Sequence, residues 1–320
     1  MTGIKLDLSR SQKQLLSTFS GLFILCVVFT ILSEYFFSVS NLLTVATQTA
    51  VIAIIAVGQT YVLITGGIDL SIGSNIALSA VIAGFCMRLT PEPSVLVVLA
   101  AILAGLFTGA FAGAVSGALI TFGKIPPFIA TLGTMTVVRG IALTLTKGLP
   151  VSGLPKKFTI LGTGSTLGIP NPVIIMVVLV SLFGFILAKT RLGRHIYSVG
   201  SNFEAARLSG VNTKKTLFSV YIFSGVLAAA AGLIVAARII SAHPAAGDGY
   251  ELDAVASSVI GGTSTMGGEG SVAGTFIGAF VIGVLRNGLN LIGVSPFIQK
   301  IVIGIVIVGS VFFDRIKRKE

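Results

Sequence analysis

The sequence predicts an all-α polytopic membrane protein with about ten transmembrane helices, and composition carries most of that reading. Mean hydropathy is +1.00. Hydrophobic residues make up 54% of the 320-residue chain and charged residues only 10%, against roughly 25% charged in soluble domains. Apolar stretches close to the ~20 residues a helix needs to cross a bilayer recur along the chain. Backbone groups in lipid must bond internally, so these stretches read as helices. The short alternating segments of a membrane barrel do not occur.

The first span, 20–37, follows Lys5, Arg10 and Lys13, like the charged start of a signal peptide. It has no small-residue cleavage site and leads into further spans, so it reads as an anchor. The others are 42–64, 71–89, 95–122, 128–146, 172–189, 216–237, 252–266, 272–292 and 297–313. The eighth is short and ends in glycines, which suits a segment that enters and leaves on one side. In the fourth, Gly105, Gly109, Gly113 and Gly117 recur every four residues, and Gly274, Gly278 and Gly283 do something similar in the ninth. Helices in lipid gain little from hydrophobic association, so smooth faces of this kind predict close helix packing.

Net charge is +11, but its placement points to a membrane rather than nucleic acid. Fourteen of the 22 lysines and arginines fall in four segments: before the first span, at Lys124, between Lys189 and Lys215, and from Arg315 to Lys319. Ten spans put all four segments on one side, with both termini, and the positive-inside rule makes that side the cytoplasm. Lys147, Lys156 and Lys157 in the opposite loop, 147–171, run against the trend. Basic ends beside anionic lipid account for the high pI.

Little in the chain points to chemistry. Cys26 and Cys86 lie in or at the end of apolar spans and read as small packing residues. His195 and His243 lie in different loops without a ligand cluster, so no metal and no cofactor is expected. No Walker-type phosphate loop is present, and the Gly-rich run from Gly261 to Gly270 lacks its lysine, so it reads as a tight turn. The chain is not expected to hydrolyse ATP.

The chain also repeats itself. Pro127-Phe128-Ile129 opens the fifth span and Pro296-Phe297-Ile298 opens the tenth, while Ile68-Asp69-Leu70 and Leu252-Asp253-Ala254 stand at the third and eighth. Spans two to five thus match spans seven to ten. Equivalent spans lie five positions apart and cross in opposite directions, an inverted repeat of the kind common in transporters. The expectation is one transmembrane domain over 1–320, with repeats at about 41–146 and 216–313 around a cytoplasmic loop at 190–215.

That loop contains Glu204-Ala205-Ala206-Arg207-Leu208-Ser209-Gly210, and its E-A-A-x-x-x-G pattern resembles the ATPase-docking loop of ATP-binding-cassette importer permeases. The same residues read alone as a solvated helix capped by Ser201 or Asn202 and closed by Gly210. Four further segments resemble ribose-type sugar permeases: residues 65–74 (TGGIDLSIGS), 128–132 (FIATL), 190–194 (TRLGR) and 245–254 (AAGDGYELDA). Gly261-Gly262-Thr263-Ser264 continues the likeness, and Gly66 stands where the family pattern has serine. The resemblance covers the chain from about the first span to its end, in order.

It implies a cobalamin-importer-type permease fold in a bacterial inner membrane. An external binding protein would deliver ribose or a related monosaccharide, a second permease chain would complete the pathway as a homodimer, and a separate ATPase subunit would drive it. Glu204, Ala205, Ala206, Arg207 and Gly210 would couple to that ATPase. The alternative is an ion-coupled secondary transporter, which inverted repeats fit equally. Such a carrier needs intramembrane charges. Asp69 and Asp253 are the acidic candidates, while Arg139 and Arg286 are expected to snorkel.

Asp69 and Asp253 are equivalent in the repeat and read first as helix caps. Their second reading is a pathway one: glycines at 66–67 and 247–249 interrupt the backbone, and Asp69, Ser71, Asn75, Asp253 and Ser257 present polar groups to a passing sugar.

Overall fold

The computed structural model describes residues 10–317. Lys5, Arg318 and Lys319 of the terminal basic groups lie outside the described residues. Ten helices stand at the ten predicted positions. They are α1 (Arg10–Leu32), α2 (Val39–Ile64), α3 (Ile72–Arg88), α4 (Val95–Thr121), α5 (Pro127–Thr146), α7 (Asn171–Lys189), α10 (Thr213–Ile239), α11 (Tyr250–Ile260), α12 (Val272–Leu291) and α13 (Pro296–Lys317). Three short helices lie between them: α6 (Lys156–Thr163), α8 (Arg191–Ser201) and α9 (Phe203–Leu208).

Among the described residues, seven helices are long and apolar enough to cross a membrane: α1, α2, α4, α5, α7, α10 and α12. The eleven residues of α11 span roughly 16 Å, about half a hydrocarbon core. After it the chain turns back through glycines at 261, 262, 267, 268 and 270, four of them with positive φ. The first helix ends earlier than the sequence suggests. Residues 33–38 form a turn, and Ser38 accepts a bond from the Asn41 amide (3.3 Å) that starts α2.

Two helices form the centre. α2 and α10 pack on each other and run antiparallel: Gly58 lies against Ser224, while Thr47 and Gln48 share a cleft with Arg238. α10 packs on α3 and α4, and α2 packs correspondingly on α11 and α12. The predicted glycine face of α4 makes the contact with α10, and that of α12 packs on α11. On α4, Gly109 and Gly113 meet the backbone of Gly225 and Tyr221 on α10; on α12, Gly274 and Gly278 meet the backbone of Gly261 and Ser257. A Cβ at any of these would collide with a carbonyl, so only glycine permits the approach. The outward face of α4 carries exposed Leu96, Leu103 and Phe107, an apolar surface suited to lipid.

Among the described residues, strand structure is confined to two short ladders. β1 (Val151–Ser152) pairs antiparallel with β4 (Ser241–Ala242), and β2 (Ser165–Thr166) with β3 (Ile169–Pro170). The first ladder ties the segment after α5 to the end of α10. α6 closes over that same end, with Gly162 against the Arg238 backbone.

Candidate functional site

The loop at 190–215 is folded rather than extended. Thr190 accepts from the Gly193 amide (3.3 Å) to start α8, which buries Ile196 and Val199 on one side and exposes Arg191, Arg194 and Ser198. Its eleven residues are strongly two-faced, but they are too short and too polar to register as a span. α8 is stitched to the end of α2: Gly200 sits on the Ile64 carbonyl, and Tyr197 donates to the Gly270 carbonyl (2.7 Å). Burial pushes the Tyr197 phenol above its ordinary range, which keeps it a neutral donor.

α9 follows directly and contains Glu204, Ala205, Ala206 and Arg207. Asn202 caps it by accepting from the Ala205 amide (2.9 Å). At the other end Val211 donates to the Ala206 carbonyl (3.1 Å) and Gly210 to the Arg207 carbonyl (3.1 Å), the paired bonds of a left-handed helix stop. Gly210 has φ +82° with open space where a Cβ would be, so conformation, not crowding, requires glycine. Glu204 and Arg207 form an exposed ion pair (2.8 Å) on the outer face, while Ala206 is buried toward the bundle. Phe203 and Leu208 are exposed at the two ends of the helix. The result is a short rigid knob, fixed from behind by α8 and α10 and uncovered in front.

Asp69, Ser71 and Asn75 form one buried group. The Asp69 carboxylate accepts from the Ser71 amide (2.9 Å), the Ser71 hydroxyl (2.6 Å) and Ser224 of α10 (2.6 Å). Ser224 lies eleven residues into α10, roughly 16 Å from its start, so the loop after α2 re-enters to about mid-bilayer depth. Asn75 donates weakly to Ser71 Oγ (3.4 Å), and its Oδ1 has no partner among the described residues. Asp69 thus bonds the amide two residues on and ties the α2–α3 loop to α10. It is a turn former and a clamp rather than a helix cap: Ser71 takes the N-cap position of α3, and no side chain among the described residues bonds a free first-turn amide there.

Asp253 behaves differently from the capping expectation. It lies inside the first turn of α11, after the true N-cap Gly249, and both carboxylate oxygens accept from Arg286 Nη2 of α12 (2.8 and 2.7 Å). Ser257, one turn on, is buried with a hydroxyl that has no partner among the described residues. The two acidic groups stay separate, yet their helices meet: Gly73 of α3 packs on the Gly247 carbonyl and the Glu251 carboxylate. Both glycine-interrupted loops are drawn inward.

The expectation that Arg139 and Arg286 snorkel is corrected. Arg139 donates to the carbonyls of Pro244 and Ala246 (both 2.8 Å), pinning the segment before α11 to α5. Arg286, one-third exposed, is the counter-ion of Asp253. Sequence reading missed these partners and Ser224. The available signal was that an arginine within an apolar helix is costly unless a partner meets it.

Residues 41–311 match the family described as branched-chain amino acid transport system / permease component. The ribose import permease RbsC of Bacillus subtilis (strain 168) is 46% identical over 306 residues, 95% of this chain and 94% of that protein. RbsC of Escherichia coli (strain K12) is 45% identical over 302 residues, covering 93% and 92%. The chain belongs to this permease family. The D-allose transport system permease AlsC of E. coli (strain K12) is also similar, 37% identical over 94% of this chain and 92% of its own. No solved structure matches. The permease is a multi-pass membrane subunit of an ATP-binding-cassette importer, not an enzyme, and ATP hydrolysis belongs to a separate subunit. That sets aside the ion-coupled alternative.

Proposed function

We propose that this permease imports ribose, delivered by an external binding protein, through a pathway completed by a second copy of the chain. The observation that carries the substrate is end-to-end likeness to proteins named as ribose import permeases. The relative named for D-allose, at lower identity, marks the range of related sugars. In this reading the fold is of the cobalamin-importer type with ten spans and both termini cytoplasmic. The reciprocal packing of α10 on α3 and α4, and of α2 on α11 and α12, supports inverted repeats at about 41–146 and 216–313 in a single domain.

α9 is the ATPase-docking element, with Glu204, Ala205, Ala206, Arg207 and Gly210 shaping its knob. Exposure in front and fixation behind support this, because a rigid element transmits movement where a loose loop would absorb it. Asp69, Ser71, Asn75, Asp253 and Ser257 belong to the pathway as the framework of its re-entrant loops. The unpartnered Asn75 Oδ1 and Ser257 hydroxyl are the groups left for transient contact with sugar hydroxyls. α5 supports the second-copy reading. It buries only a narrow stripe and leaves Gly133, Thr136, Gly140 and Thr144 uncovered on one side.

Reconstitution into vesicles with the cognate ATPase and binding protein tests the substrate. Labelled ribose uptake should require ATP and resist a tenfold excess of unlabelled allose or arabinose. Uptake abolished equally by either competitor would overturn the assignment to ribose.

A further inference from the structure

At the end of the bundle opposite α9, α2 and α10 leave an open cleft of about 330 Å³ lined by Leu43, Thr44, Thr47, Gln48 and Arg238. Its polar groups are unevenly engaged. The hydroxyls of Thr44 and Thr47 donate back to their own helix, to the carbonyls of Ser40 (2.9 Å) and Leu43 (2.7 Å). The guanidinium of Arg238 and the amide of Gln48 make no hydrogen bond or ion pair among the described residues. No carboxylate among the described residues lines the cleft. Arg238 stands in the last turn of α10, where a cation complements the carbonyl end, but it bonds none of those carbonyls. The cleft therefore offers N–H donors and positive charge to a ligand that supplies only acceptors.

The surroundings set the depth. Tyr35 and Phe37, just before α2, are exposed, and so are Ile239 and Ile240 where α10 ends. Exposed aromatics at a helix end mark the headgroup level of a bilayer. An arginine there, open on one side and flanked by apolar surface, meets phosphate oxygens in a fork geometry that suits guanidinium. Leu43, on the cleft wall, is exposed along the path that a glycerol and its acyl chains would take.

We propose that this cleft binds the phosphodiester of a membrane phospholipid, gripped by Arg238 and Gln48, with the acyl chains descending past Leu43. The bound lipid wedges α2 against α10 at the end that α6 and the β1–β4 ladder also help to close.

Native mass spectrometry of the delipidated full-length chain in detergent tests this, with phosphatidylglycerol, diacylglycerol or inorganic phosphate added in turn. Phosphatidylglycerol should bind and diacylglycerol should not. Arg238→Gln should weaken binding about tenfold, Gln48→Leu a few-fold, and Arg238→Lys by an amount in between. Should Arg238→Gln fail to fold, Gln48→Leu, which breaks no hydrogen bond among the described residues, carries the comparison alone. Equal binding by wild type and all variants, or diacylglycerol binding as well as phosphatidylglycerol, would overturn the proposal. Inorganic phosphate displacing the lipid at equal concentration would also overturn it and identify a free-anion site instead.

Discussion

Asp253 and Arg286 show what one side chain decides when its partner lies 33 residues away in sequence. Asp253 is almost fully buried, so removing Arg286 leaves an uncompensated charge, whereas removing both leaves a small void. Asp253→Ala should cost roughly 2 kcal/mol, less than a fully buried pair because Arg286 is one-third exposed. The double variant Asp253→Ala/Arg286→Met should recover about half of that in thermal unfolding. Additive losses in the double variant would show that the two do not act as a pair. Asp69 is held by two hydroxyls and an amide rather than by a cation. The equivalence with Asp253 that the sequence repeat suggests therefore does not extend to the kind of partner each one has.

Among elements, α9 is the one whose shape can be changed without touching the spans. Gly210 sits at φ +82°, and a β-branched residue there costs about 1–2 kcal/mol of local strain. Gly210→Val should fray the end of α9 while leaving membrane insertion intact. Glu204→Lys removes the exposed ion pair, worth less than ~1 kcal/mol to stability, but reverses the charge on the face proposed to meet the ATPase. Both variants should reach the membrane at normal abundance, co-purify poorly with the ATPase and lose most ribose uptake. Normal uptake with the ATPase still bound would mean that α9 is not the coupling element. The glycine faces of α4 and α12 act the opposite way, since they are buried and purely a matter of packing.

At the scale of the whole molecule the question is which end faces the cytoplasm. α8, α9, the end of α2 and the 261–270 turn gather at one end, and α6 with the β1–β4 ladder closes the other. Reporters fused at Met1, near Asn202 and at Glu320 should read cytoplasmic, and one near Thr163 external. A cytoplasmic reading at Thr163 would break both the ten-span topology and the inverted repeat. The half-length α11 is compatible with either count of spans, because its turn at 261–270 reaches back to the end of α2, where Gly268 donates to the Ile64 carbonyl (2.8 Å).

By itself the sequence determined the membrane class, the approximate positions of the ten helices read as spans and the small-residue faces. Hydropathy and four-residue glycine spacing are local, additive signals that survive without tertiary context. It also marked α9, whose cap, Glu204 and closing Gly210 lie within nine residues of one another. Only the tertiary structure decided what the buried charges do. The pairing of Asp253 with Arg286, of Asp69 with Ser224 and of Arg139 with the carbonyls of Pro244 and Ala246 depends on which helices become neighbours. In lipid a buried polar group must be met by something, but local sequence does not say by what. Arg238 belongs to the same class: its lack of a partner among the described residues is visible only once α2 has been laid beside α10.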